Sequence, residues 1–426
     1  MRVLICIPIL EQGGTEIQTL NTVHALVQGG HEVTVACYFE HTPDMVDRYR
    51  KAGAEVLLFS PEGVRVGGYK SILFLYKHLR RAIRMVRPDV THVQYMAPGA
   101  TVILLLWLMG VKNIIATAHT AADIYRDLRL IHFLQRHCLR AWTCITERAE
   151  RSFFGSSQLY TPEMVLGKRN HFTIYNALPF RYSERLKAAE QRLIATASQV
   201  NVAEQRLKDT QSQGDDSPAT PLQLTSSTVA INDNDPQKSS PLIAHSSQPN
   251  TLGVVSRLEP IKGMDLVVPA FAEVLKAHPD TQLLVVGDGS LRASMEQQAM
   301  ELGCADHIRW VGRQPQEELP QWYSQMDIVL MPSRSEGFGL TAIEAMACGC
   351  VMVASDTGGL PEVVRDGVCG LLHRTEDIAD MAAKISALIS NQELYDKLRA
   401  QSLREVEKYS FERYAELIRN LYGKLR

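Results

Sequence analysis

Short apolar runs separated by helical stretches recur through the first 180 residues of this chain, and that rhythm restricts its fold more than any other feature. The runs lie at 2–9, 32–38, 55–59, 90–94, 114–118, 143–146 and 172–175. Runs this short and this apolar suit strands buried on both faces, and helices between them supply the crossovers that parallel strands need. The expectation is therefore a mostly parallel sheet covered by helices. The rhythm breaks over 181–250 and restarts with Leu252-Gly-Val-Val-Ser-Arg257, followed by strand-like runs at 282–287, 309–312, 327–332 and 351–355. Two helices are expected near 376–389 and 391–408, and a last one after Tyr409. Three segments follow: a domain over 1–180, an insert over 181–250 and a second domain over 251–426.

A chain of 426 residues can hold two such domains, each with its own core. Its net charge of −2 gives no reason to expect nucleic acid as a partner. The charge is unevenly spread: residues 1–180 carry 20 Lys and Arg against 14 Asp and Glu, and the remainder 25 against 33. The eight cysteines are scattered in apolar runs without a C-x-x-C pair, which suits buried reduced thiols and a cytoplasmic setting. The N-terminus lacks the apolar core of a signal peptide, and the most hydrophobic run, 100–109, is too short to span a bilayer. Over 71–87 an apolar stripe (Ile72, Leu75, Leu79, Ile83, Val86) runs beside Lys77, Arg80, Arg81, Arg84 and Arg87. Such a helix either lies on anionic lipid as a peripheral contact or packs on the core with a solvated basic face. The second reading describes the commoner kind of amphipathic helix.

The chemistry concentrates in Ser333-Arg-Ser-Glu-Gly-Phe-Gly-Leu-Thr-Ala-Ile-Glu-Ala-Met-Ala-Cys-Gly-Cys350. It follows a strand stopped by Pro332, so it starts at a strand's carboxyl edge, where open α/β sheets bind ligands. Gly337 and Gly339 allow close backbone approach, and the amides near Leu340 and Thr341 at a helix N-terminus suit phosphate oxygens. Glu336 and Glu344 can accept from hydroxyls. A sugar on a nucleotide diphosphate needs both kinds of contact. The competing reading is a capping box, Thr341-Ala-Ile-Glu344, which would satisfy the helix and bind nothing. Three further loops end strands: Gly13-Gly14, with Thr15 and Gln18 able to cap the next helix; Arg257 with Lys262, two cations able to neutralise a diphosphate; and His119.

The pattern Glu336-x-Phe338-Gly339-x-x-x-x-Glu344 after a strand, with Arg257-x-x-x-x-Lys262-Gly263, resembles the signature of the retaining glycosyltransferases of family 4. The resemblance covers about residues 1–180 and 251–426. It implies the GT-B architecture: α/β, with two Rossmann-like doubly wound domains facing across a cleft and a last helix returning to the first domain. It implies transfer of a sugar from a nucleotide-diphosphate donor to a hydroxyl acceptor (a glycan, lipid-linked glycan or small glycoside), with retention at the anomeric carbon; no cofactor is expected and the residues give no reason to assign a metal. Arg257 and Lys262 would clamp the diphosphate, Glu336 would hold sugar hydroxyls and Glu344 the ribose. Gly13 and Gly14 would face the donor phosphates, and Gly287 in Gly287-Asp-Gly289 and Arg313 would line the donor site. A histidine at the end of the fifth strand, here His119, usually meets the transferred sugar. This chain departs from the pattern with Thr120 after that histidine and Ala177 after Asn176.

The same cleft would serve a retaining phosphorylase or glycoside synthase, and a nucleotide-sugar-binding protein without transfer is the alternative outside enzymes. The insert lies outside the resemblance. Leu186, Leu193, Val200 and Leu207 fall at seven-residue spacing and suggest a helix over about 183–208. The tract 209–250 has the composition of a disordered linker, and its Asp233-Asn-Asp235 is read as a chance match to a metal motif.

Overall fold

The computed structural model describes residues 1–94, 99–167, 169–182 and 249–425. The helix expected over 183–208, the linker behind it and Asp233-Asn-Asp235 lie outside the described residues.

The first half is a seven-stranded, all-parallel sheet: β1 Arg2–Ile7, β2 Glu32–Cys37, β3 Glu55–Leu58, β4 Val90–Gln94, β5 Ile114–Ala118, β6 Ala141–Cys144 and β7 His171–Thr173, in the order β3-β2-β1-β4-β5-β6-β7. Alternate residues of β1 feed opposite cores. Val3, Ile5 and Ile7 pack into one apolar cluster, Leu4 and Cys6 into another. Every apolar position along the strand is thereby buried, which is why it reads as continuous rather than alternating. Helices α1 Gly14–Gln28 and α2 Pro43–Lys51 cover one face. On the other lie α3 Tyr69–Val86, α4 Gly99–Leu108, α5 Arg129–His137 and α6 Glu147–Phe154. The hydrophobic run at 100–109 is thus α4, and no helix among the described residues is long and apolar enough to cross a membrane.

The second half repeats the plan with six parallel strands: β8 Thr251–Val255, β9 Gln282–Val286, β10 Ile308–Gly312, β11 Ile328–Met331, β12 Val351–Ser355 and β13 Gly370–His373, ordered β10-β9-β8-β11-β12-β13. Its helices are α7 Val267–Ala277, α8 Arg292–Glu301, α9 Leu319–Tyr323, α10 Leu340–Ala347, α11 Leu360–Val363, α12 Ile378–Ser390, α13 Gln392–Glu405 and α14 Phe411–Gly423. Leu252 and Val254 of the central strand meet α7, α8, α12 and α13 in one core.

The last helix, α14, leaves the second half and docks on the first. Phe411, Tyr414, Ile418, Leu421 and Tyr422 join the cluster under α1. At about 1.5–3 kcal/mol per fully buried large apolar side chain, this seam is a substantial fastening. Its polar atoms are matched as well. The Tyr414 hydroxyl lies 2.7 Å from Thr22 Oγ1, and the Tyr422 hydroxyl lies 2.8 Å from Nδ1 of the buried His92.

Candidate active site

In both sheets the strand order reverses beside the first strand, β1 in one and β8 in the other. That is the switch point at which loops diverge and leave a crevice at the carboxyl ends. The loop after β8 carries Arg257, which is exposed, and Lys262 at the end of a 3-10 turn, Pro260–Lys262. Gly263 makes that turn possible. Its φ is +65°, and a Cβ there would sit 1.9 Å from the Pro332 carbonyl oxygen. The turn is thus pressed against the end of β11, and Lys262 Nζ donates to Glu336 Oε2 at 2.6 Å. Both side chains are largely buried, at 22% and 13% exposed. The phosphate cation and the sugar carboxylate proposed from sequence are therefore ion-paired with each other.

The loop from β11 to α10 is held by contacts the sequence did not reveal. Arg334 forks onto both oxygens of Asp265, at 2.6 and 2.7 Å, and reaches Glu376 at 2.5 Å, and these hydrogen bonds raise the guanidinium pKa further. The sign that could have found it is an arginine inside the motif, facing a loop with Asp265 three residues after Lys262. The Glu336 carbonyl accepts from Gly359 N at 3.0 Å, and a Cβ on Gly358 (φ +60°) would collide with that same oxygen. The glycine turn after β12 thus supports the backbone of Glu336 from below.

α10 begins at Leu340, with Gly339 as its N-cap in a left-handed conformation. Thr341 is the second helical residue and caps nothing, so the capping-box reading is displaced. Glu344, buried within the helix, instead receives a hydrogen bond from the Tyr323 hydroxyl at 3.2 Å. Burial, followed by the Glu344 charge, pushes Tyr323 well up, so it stays protonated and donates. The first amides of α10 have no intrahelical acceptor and can serve an anion. Phe338 is buried between Tyr175 and Tyr409, whose rings lie 6.1 and 5.5 Å away, and so anchors the loop.

The first half closes over this loop. A Cβ on Gly337 would come within 2.6 Å of the His119 carbonyl oxygen, and one on Gly14 within 3.2 Å of Leu340 Cδ1. Gly13 is the N-cap of α1 without a side-chain cap. Thr15 and Gln18, expected to cap this helix, do otherwise: the Thr15 carbonyl accepts from Thr19, and the Gln18 amide oxygen accepts from Ala177 N. Beyond the turn, Arg313 donates to Gln12 at 2.7 Å and Arg48 to Gln316 at 2.9 Å. Glu362 accepts from Glu147 N and Arg148 N at the start of α6, at 2.8 and 2.6 Å. Gly287, with φ +142°, presses the end of β9 against Ser256, where a Cβ would lie 1.8 Å from the carbonyl oxygen. It shapes the loop that carries Arg257.

His119 ends β5, buried, and burial pushes it down to about 3, so it is neutral at pH 7. Its Nε2 donates to Gln94 Oε1 at 2.8 Å, and the Gln94 amide reaches His92 Nε2 at 3.3 Å. Gln94 closes β4 at the same sheet edge. The rule that picked out His119 could have found it, but an amide carries no titratable signal.

Two family models match the chain: "Glycosyltransferase Family 4" over residues 12–158 and "Glycosyl transferases group 1" over 237–404. The chain belongs to the group 1 glycosyltransferases of family 4. Among its relatives are D-inositol 3-phosphate glycosyltransferases from Corynebacterium jeikeium (strain K411) and Nocardia farcinica (strain IFM 10152). The first is 36% identical over 181 residues, 41% of this chain and 43% of that protein. The second is 41% identical over 159 residues, 36% of this chain and 35% of that protein. Each match spans less than half of the relative. Among solved structures, Anabaena Alr3699/HepE in complex with UDP superposes with a TM-score of 0.70 at 16% identity, over 99% of this chain and 100% of that one. Sucrose-phosphate synthase (tll1590) from Thermosynechococcus elongatus gives 0.66 at 18% identity, over 100% and 99%. The two parallel Rossmann-like sheets are therefore the GT-B fold of family 4.

Proposed function

We propose that this family 4 chain transfers a sugar from a nucleotide-diphosphate donor to a hydroxyl acceptor with retention of anomeric configuration. One observation carries the reading: Lys262 and Glu336 meet at 2.6 Å beside the open N-terminus of α10, with the first half drawn to van der Waals distance over Gly337. A cation, the carboxylate paired with it and the first amides of the helix that the carboxylate's loop leads into support a site for a diphosphate and its sugar. Relatives named for inositol-phosphate and phosphatidylinositol mannoside acceptors support a polyol or glycan hydroxyl as the acceptor class.

Arg257, Lys262 and the amides of Leu340 and Thr341 would stabilise charge on the departing diphosphate, a preorganised contribution that needs no rearrangement at the moment of reaction. The bond from the anomeric carbon to the phosphate oxygen breaks, and a bond to the acceptor oxygen forms on the same face. The acceptor proton goes to the leaving phosphate oxygen. Glu336, held by Lys262, would orient sugar hydroxyls, and Glu344, fixed by Tyr323, the ribose. Neutral His119 would offer a hydrogen bond rather than a charge to the sugar. Eight free, buried cysteines support a cytoplasmic setting.

The test is nucleoside-diphosphate release from a panel of nucleotide-sugars with candidate acceptors, and proton NMR of the product's anomeric signal. Donor-dependent release with retained configuration is expected. Inversion, or turnover that requires inorganic phosphate and no nucleotide, would overturn the reading.

A further inference from the structure

Nine of the sixteen large apolar side chains that the described residues expose lie on α3, α4 and α5, so the exposed apolar surface is gathered on one side of the molecule. These three helices cover one face of the first sheet with Leu75, Leu79 and Ala82, with Val102, Ile103 and Leu106, and with Ile131 and Leu134. Their outer faces stay apolar too. Tyr69, Leu73 and Leu108 are 80%, 71% and 66% exposed, and Trp107 packs edge-on against Phe133 across α4 and α5. Between α3 and α4 runs a groove of about 810 Å³, with Ile72, Leu73, Tyr76, Leu105 and Leu108 along it and Arg80 and Arg84 among its lining. The core-packing expectation for α3 holds for Leu75 and Leu79, which are buried, and for Ile83 and Val86, which pack partly buried against the same cluster. It fails for Ile72, and Leu73 and Tyr76 widen the apolar face beyond the expected stripe.

The charge on this side is of one sign. Lys70, Lys77, Arg80, Arg81 and Arg84 are exposed on α3 and Arg87 follows it; α4 carries no charge; α5 bears Arg129 and Arg136. No carboxylate occurs in any of the three helices. The nearest acids in sequence, Asp89 after α3 and Asp123 and Asp127 before α5, are engaged by Arg2, Arg148 and Arg129. A second copy seated here about a two-fold axis would set arginines against arginines. An anionic bilayer would match the cations and take up the leucines, with tyrosine and tryptophan at the polar boundary.

We infer that the α3–α4–α5 face is a docking surface for an anionic lipid bilayer, on which the protein lies without spanning it. The inference rests on this face alone and does not depend on the proposed reaction.

The experiment is co-sedimentation of the full chain with phosphatidylcholine vesicles, with and without about 30 mol % phosphatidylglycerol. Binding is expected to the anionic vesicles only, and weaker at high salt. Arg80→Gln and Arg84→Gln should each lower partition about fivefold. Leu73→Asp with Leu108→Asp should abolish it, while circular dichroism and unfolding midpoint stay those of the parent because both side chains already meet water. Equal binding to neutral vesicles, no binding to either, or a solution dimer that Leu73→Asp splits would each overturn the proposal.

Discussion

Replacing Lys262 with alanine removes one end of the ion pair that joins the two motif charges of the site. At 2.6 Å and an effective dielectric near 20, the attraction between unit charges is about 6 kcal/mol before desolvation is subtracted. Both side chains are mostly buried, so the Glu336 side chain in the variant would be left without its partner in a poorly solvated place. Donor phosphates would then meet an unopposed carboxylate. Truncating one partner of such a pair costs about 2–5 kcal/mol, which corresponds to a loss in kcat/KM of roughly 30-fold to several thousand-fold. The assay is steady-state transfer with Lys262→Ala, Glu336→Gln and the double variant. Because the two groups act as a pair, the double variant should lose less than the product of the single losses. Near-normal kcat/KM in Lys262→Ala, or fully additive losses, would refute the reasoning.

Glu344→Gln keeps the volume and an acceptor for Tyr323, so unfolding by urea should change little, while calorimetry should show nucleotide binding weakened by about 1.5–3 kcal/mol if the carboxylate accepts from ribose. Gly337→Ala drives a Cβ toward the His119 carbonyl, which is backbone and cannot swing aside; a stability loss of about 1–3 kcal/mol with slower turnover is expected from denaturant titration and rate assays. His92 and His119 are both pushed by burial from 6.5 to about 3. The unfolded chain therefore binds more protons between those values, and stability should fall as pH drops from 6.5 toward 3, by up to about 1.4 kcal/mol per pH unit for each histidine. Urea midpoints at pH 7 and 5 check this, and an unchanged midpoint would contradict the burial. Transfer should survive exhaustive chelation if, as proposed, the two cations and the α10 amides serve the phosphates; loss rescued by manganese would contradict that.

Much of the fold was legible because parallel strands buried on both faces write themselves as short continuous apolar runs. β1, β4, β5 and β8 lie within a few residues of their expected places. The motif residues stood out in the sequence because a ligand site at a strand end would need glycine and charge at set spacing. What stayed hidden depends on partners far apart in the chain. Arg334 is explained only by Asp265 and Glu376, Gln94 only by His119 and His92, and Glu362 only by the start of α6. The capping box at Thr341 and the Thr15 cap at α1 were wrong for one reason: glycine holds both N-cap positions, and only the backbone reveals that. The core side of α3 was legible in its stripe, but the width of its outer apolar face was not, because a helical stripe marks amphipathicity without saying how wide the apolar side is.

The central claim is that Arg257, Lys262 and the α10 amides form a diphosphate site for a nucleotide-sugar. A thermal-shift panel of nucleotide-sugars on the parent, Arg257→Ala and Lys262→Ala tests it most directly. One donor, at 100 times its dissociation constant, should stabilise the parent by about 2.7 kcal/mol and lose most of that effect in both variants. A panel without any stabilising donor, or equal stabilisation of all three proteins, would contradict it.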